Sequence, residues 1–190
     1  MHSEVKILDL LEAHPIIAAV RDEAGLAAAL KSPVDIVFLL NATLSNLKER
    51  VQRIEEGQKL AFVHLEMVAG LSKDQAALEF IQTEIGPSGI LTTKPNLIQA
   101  AKNLGLATIQ RLFILDSLSI HTGLKMMQGN HPDLMEIMPG IIPKVIPEIK
   151  RNCQIPIIAG GMVNTKEEII ELLKVGVMAV STSRIELWDL

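Results

Sequence analysis

Tyrosine is absent from this chain, and its four Phe and one Trp bring aromatics to only 3% of 190 residues. A surface that stacks nucleic-acid bases on rings is therefore poorly supplied. Cysteine occurs once, at Cys153; an intramolecular disulfide and a Cys-spaced metal site are excluded, and the residue reads as a structural thiol. No apolar run reaches the ~20 residues of a membrane span. The first twelve residues carry Glu4, Lys6, Asp9 and Glu12, where a signal peptide would keep an unbroken apolar core. A cytoplasmic protein with no membrane partner is expected. The net charge of −4 gives no global electrostatic reason to expect nucleic acid. What the chain does have is 48% hydrophobic residues without a break in composition, which predicts one domain over 1–190 around one core.

Short apolar strands alternate with amphipathic helices. After an opening helix over Val5–Ala13, strands are predicted at Ile16–Val20, Ile36–Leu40, Leu60–Leu65, Gly89–Leu91, Thr108–Leu115, Leu134–Met138, Ile155–Ala159 and Val177–Val180. The intervening helices are Glu23–Leu30, Leu44–Glu56, Lys73–Ile85 capped by Ser72, Pro95–Leu104, Ser117–Met127, Ile142–Arg151 and Thr165–Val175. Gly57, Gly86-Pro87, Gly105 and Gly176 act as stops. Eight strands and seven helices at ~20–25 residues per unit indicate an α/β fold, a compact (β/α)8 TIM-like barrel; an open doubly wound sheet is the alternative. Barrels typically use ~250 residues, so the loops should be tight. The final helix, Arg184–Trp188, should be short or replaced by the N-terminal helix.

Polar residues gather at the C-terminal ends of these strands, where a barrel builds its site. Arg21 and Asp22 follow the first strand and Asn41 the second, His64 and Glu66 end the third, Lys94 follows the fourth, and Asp116 the fifth. Glu136 lies inside the sixth strand and needs a partner there, whether Lys94, another cation or a ligand hydroxyl. Arg111 reads as an ion pair at the barrel bottom, and Asp116 equally as a helix cap or a ligand contact. In the last third, Pro156-Ile157-Ile158-Ala159-Gly160-Gly161 and Val177-Met178-Ala179-Val180-Ser181-Thr182-Ser183 each run from a strand into small residues. Backbone N–H groups there, at a helix N-terminus, suit a phosphate. The expected phosphate residues are Gly160, Gly161, Ser181, Thr182 and Ser183.

Taken together, residues Pro15 to Trp188 resemble the glycerol uptake operon antiterminator regulatory proteins, the glycerol-3-phosphate-responsive antiterminators. The resemblance is carried by Phe62-Val63-His64-Leu65-Glu66-Met67-Val68-Ala69-Gly70-Leu71, Gly89-Ile90-Leu91-Thr92-Thr93-Lys94 and Thr108-Ile109-Gln110-Arg111-Leu112-Phe113-Ile114-Leu115-Asp116-Ser117. Glu136-Ile137-Met138-Pro139-Gly140, Ile157-Ile158-Ala159-Gly160-Gly161 and Ala179-Val180-Ser181-Thr182-Ser183 complete it. Glu66 stands where the family pattern has Asp, as does Ser88 before Gly89. The resemblance implies a regulator that binds glycerol 3-phosphate as effector and acts on leader mRNA to allow read-through of a terminator. No metal or cofactor and no catalytic residue is implied. The hydroxyl end of the effector would meet Lys94 and Glu136, with Asp116, Glu66, His64, Arg21 and Asn41 as further candidates.

RNA contact by an acidic chain requires a local basic face. The candidates are Lys48, Arg50 and Arg53 on the second helix, and Lys144, Lys150 and Arg151 on the sixth. The oligomeric state stays open between monomer and homo-oligomer. The alternative function is a barrel enzyme acting on a phosphorylated sugar or polyol, an isomerase, aldolase or phosphodiesterase. It would use Lys94 as electrophile and Glu136, Asp116 or Glu66 as acid and base; no catalytic motif beyond placement at the rim supports it.

Overall fold

In the computed structural model, which describes residues 2–190 and the side chains from Ile7 onward, eight parallel strands close into a barrel. They are β1 (Ile16–Val20), β2 (Ile36–Leu39), β3 (Leu60–His64), β4 (Gly89–Thr92), β5 (Ala107–Phe113), β6 (Leu134–Met138), β7 (Ile157–Gly160) and β8 (Ala179–Thr182). Each pairs with its sequence neighbours, and β8 returns to β1 through Ile16↔Val180, Ile17↔Ser181 and Ala18↔Thr182. The helices are α1 (His2–Ala13), α2 (Glu23–Lys31), α3 (Leu47–Glu56), α4 (Gln75–Phe80), α5 (Pro95–Asn103), α6 (Ser117–Asn130), α7 (Ile146–Asn152) and α8 (Lys166–Lys174). The expected barrel is thus the observed one, and the open sheet is not.

Period-2 alternation splits the strand residues into two cores. One set, including Val37, Val63, Ile90 and Val180, faces the helices. The other fills the barrel with Ile17, Phe38, Phe62, Leu91, Ile109, Leu134 and Ile158. The Phe38 and Phe62 rings meet edge to face with centroids 5.9 Å apart, and Gly89 gives Phe62 its room, since a Cβ there would run into the ring. Ile7 and Leu11 of α1 join this inner core and close the N-terminal end. A single 3-10 turn, Ile185–Leu187, stands where an eighth outer helix would follow β8.

Local chemistry moves several expected boundaries. Ser72 does not cap the fourth helix: Asp74 does, accepting the Ala77 N–H, and the helix turns into a π-helical segment over Ile81–Ile85. Ala42–Thr43 does not lead directly into a helix but forms a short parallel strand with Val68–Ala69, so α3 begins only at Leu47. The segment after β6 begins as a 3-10 turn, Pro143–Val145, before α7; Pro147 lacks the N–H that a continuous helix from Ile142 would donate to the Pro143 carbonyl, and it is accommodated only in the first turn of a new helix.

Candidate functional site

The inward positions nearest the C-terminal ends of the strands bring together His64 of β3, Arg111 of β5, Glu136 of β6, Gly160 of β7 and Ser181 of β8. Register places Arg111 directly opposite Glu136, and the Arg111 Nε donates to Glu136 Oε2 at 2.6 Å. The Ser181 hydroxyl donates to Glu136 Oε1, also at 2.6 Å. Glu136 is wholly buried, and the cation that meets it is Arg111 and not Lys94. Arg111 accordingly sits in the upper layer of the barrel and not at its bottom. Sequence reading missed it as a site residue; the available signal was a charged residue in the strand preceding the one with the buried carboxylate.

The polar chain continues across the barrel. Arg111 Nη1 lies 3.5 Å from His64 Nδ1; because a guanidinium only donates, Nδ1 accepts and Nε2 carries the proton. That nitrogen is 3.1 Å from Glu66 Oε2, close but off line for a hydrogen bond. Glu66 also accepts from the Thr92 hydroxyl at 2.5 Å and from the Thr93 N–H at 3.4 Å. Burial alone would raise the Glu66 pKa, but His64 and Thr92 outweigh it and hold the carboxyl at about 2, below its usual 4.5. A depressed pKa gives stability that is complete above the unfolded value and is lost as pH falls from about 4.5 through about 2. Glu66→Gln should therefore lose roughly 1–2 kcal/mol at pH 7, allowing for solvent screening at a half-buried group. Urea unfolding should show that gap closing in acid; a gap that persists at pH 2 would contradict a carboxyl held below its usual range.

Two adjoining cavities open at this end. The smaller, about 60 Å³, lies against the loops after β7 and β8 and is lined by Arg21, Arg111, Gly161, Met162 and Ser183 among others. The larger, about 420 Å³, is lined by Arg21, Leu40, Asn41, His64, Met67 and Arg111. Arg21, Leu40 and Arg111 belong to both walls. Arg21 is exposed and has no acidic partner among the described residues. A groove of about 470 Å³ at the opposite end, between α6 and α7, offers less: the buried carboxylate there, Asp133, is taken by Lys102 and Thr108.

The loop after β7 turns sharply, with Gly161 at φ +76° and Met162 at φ +64°. The first donors of α8 are consumed locally: Glu168 accepts from the Asn164 and Thr165 N–H groups, and Thr165 accepts from the Glu168 N–H. Ser181 and Thr182 belong to the β-ladder. The Ser181 hydroxyl is held by Glu136, and Thr182 Oγ1 bridges Val163 O and the Arg184 N–H. Gly160 is packed so closely on Glu136 and Ser181 that no Cβ fits. Of the five residues expected at a phosphate, Gly160, Ser181 and Thr182 thus build the frame. The N–H groups of Gly161, Met162 and Ser183 remain without acceptors among the described residues.

Other expected residues lie elsewhere. Lys94 precedes α5 with its Nζ 3.4 Å from Lys73 O, at the rim and outside both cavities. Asp116 caps α6 in a reciprocal pair with Ser119, also outside them. Glu66 stands behind His64 and lines neither cavity, whereas Asn41 and Arg21 do line the mouth. Lys94, proposed as the electrophile of an enzyme, is therefore not in the cavity. Among the described residues no group of three His, Cys, Asp or Glu could hold a metal ion, and no helix is long and apolar enough to cross a membrane.

The two basic clusters do not form one surface. α3 lies outside β2 and β3, whereas α7 lies across the barrel outside β6 and β7. Arg53 pairs with Glu23 at 2.6 Å and Glu49 at 3.6 Å. Arg50 reaches Asn41 O and Glu23, which leaves Lys48 as the exposed, uncommitted cation of that cluster. Lys150 donates to Gly176 O, and Lys144 stands at the other end of α7 from Lys150 and Arg151.

Residues 16–188 match the family model of glycerol-3-phosphate responsive antiterminators. The uncharacterized protein YgcP of Escherichia coli (strain K12) is 34% identical over 184 residues, 97% of this chain and 96% of its own. The glycerol uptake operon antiterminator regulatory protein from Listeria monocytogenes str. 4b F2365 is 34% identical, with a TM-score of 0.88 over 92% of this chain and 94% of that one. A glycerol uptake operon antiterminator-related protein from Thermotoga maritima MSB8 is 33% identical, with a TM-score of 0.83 over 93% and 99% of the two chains.

Proposed function

Because the chain belongs to the glycerol-3-phosphate responsive antiterminator family, a family of regulators and not of enzymes, we propose that it binds glycerol 3-phosphate in the paired cavities and then acts on leader mRNA to permit read-through of a terminator. The observation that carries this reading is the small cavity itself. Its loops present unpaired N–H groups at Gly161, Met162 and Ser183 beside the uncommitted Arg21, a set of donors and charge suited to a phosphate. The three-carbon end then extends into the larger cavity toward Asn41 and His64, whose polar atoms can exchange hydrogen bonds with hydroxyls.

Arg21→Ala should weaken glycerol 3-phosphate about 10-fold or more, the scale of one charge-assisted contact, while the urea midpoint stays within error because Arg21 is exposed. Calorimetric titration checks it, and parent-like affinity in the variant would exclude Arg21 from the site. RNA enters by linkage: if the effector tightens leader RNA by some factor, leader RNA must tighten the effector by the same factor. Equal effector affinities with and without leader RNA would refute the coupling, and steady consumption of glycerol 3-phosphate would favour an enzyme.

A further inference from the structure

The barrel interior is apolar except in its C-terminal layer, where the Arg111 and Glu136 side chains pair at 7% and 0% exposure. Such a pair is weak evidence for stability, because desolvation of two charges offsets their attraction and apolar residues of similar shape often serve as well or better. Its placement is the more informative fact, since Arg111 lies on the wall that both cavities share. We propose that Arg111 is the cation that contacts the effector's phosphate where the two cavities meet, and that Glu136 and Ser181 are positioning residues that aim it. This rests on the reading of the cavity as a glycerol 3-phosphate site.

The guanidinium is held on two sides. Glu136 fixes Nε, and Nη1 faces His64 Nδ1. Nη2 has no acceptor among the described residues and is left to donate. Glu136 is itself locked by the Ser181 hydroxyl, in space that Gly160 alone leaves open. A lysine could supply the charge here but not the rigid fork that meets a carboxylate and a phosphate at once.

Calorimetry with two probes, glycerol 3-phosphate and inorganic phosphate, tests this alongside urea unfolding. Arg111→Lys should weaken both probes about 10-fold, or about 1.4 kcal/mol. Glu136→Gln should weaken both in the parent chain but change nothing in the Arg111→Lys background, where no fork remains to be aimed. The triple variant Arg111→Met/Glu136→Met/Ser181→Ala should keep or raise the parent's urea midpoint and still lose affinity for both probes. A parent chain that binds glycerol 3-phosphate while these variants bind equally well overturns the role of Arg111. A triple variant whose midpoint falls makes the pair a structural one and likewise overturns it. A parent chain that binds neither probe overturns the effector reading, and this inference with it.

Discussion

Glu136→Ala is expected to cost about 3–5 kcal/mol, because it leaves the Arg111 guanidinium buried without its counter-charge. Arg111 is 8% exposed and Glu136 not at all, so water cannot replace the lost partner without entering the barrel. The Ser181 hydroxyl loses its acceptor in the same step. Urea unfolding at neutral pH reads the loss directly, and a cost below about 1 kcal/mol, the range of exposed ion pairs, would show that the pair is solvated in solution. The contrast with the triple apolar variant separates two effects: breaking the pair is severe, whereas replacing it whole is not.

A comparable loss is expected for Gly160→Ala, from packing instead of charge. A Cβ at Gly160 would overlap both Ser181 Oγ and a Glu136 carboxylate oxygen, and neither can move without giving up the hydrogen bond that joins them. Overpacking of this kind costs about 1–3 kcal/mol, and the displaced carboxylate adds to it. Gly160→Ala should therefore lower the urea midpoint and weaken glycerol 3-phosphate together. Gly129→Ala, where nothing lies within 4 Å of the added carbon, should do neither. Parent-like stability in Gly160→Ala would mean that the Glu136 carboxylate is not seated as described.

The barrel was legible because its signal is repeated eight times: each strand is an apolar run, and four of the helices between them end at a glycine stop. Boundaries failed where side chains compete for backbone groups. Asp74 outbids Ser72 as a cap, and the pairing of Ala42–Thr43 with Val68–Ala69 is a contact between distant segments that no local pattern announces. The mouth was legible in outline, since Arg21, Asn41, His64, Gly161 and Ser183 do gather there. Lys94 and Asp116 misled because a polar residue just after a strand can equally turn outward to serve the next helix. Arg111 was missed because its role depends on the register between β5 and β6, which pairs it with Glu136. That register is a property of the closed sheet.

The most direct test of the account is a crystal structure of the chain with glycerol 3-phosphate. The phosphate is expected against the N–H groups of Gly161, Met162 and Ser183, within reach of Arg21, with the carbon chain running toward Asn41 and His64. Ligand at the opposite end of the barrel, or none in the mouth at saturating concentration, would contradict it.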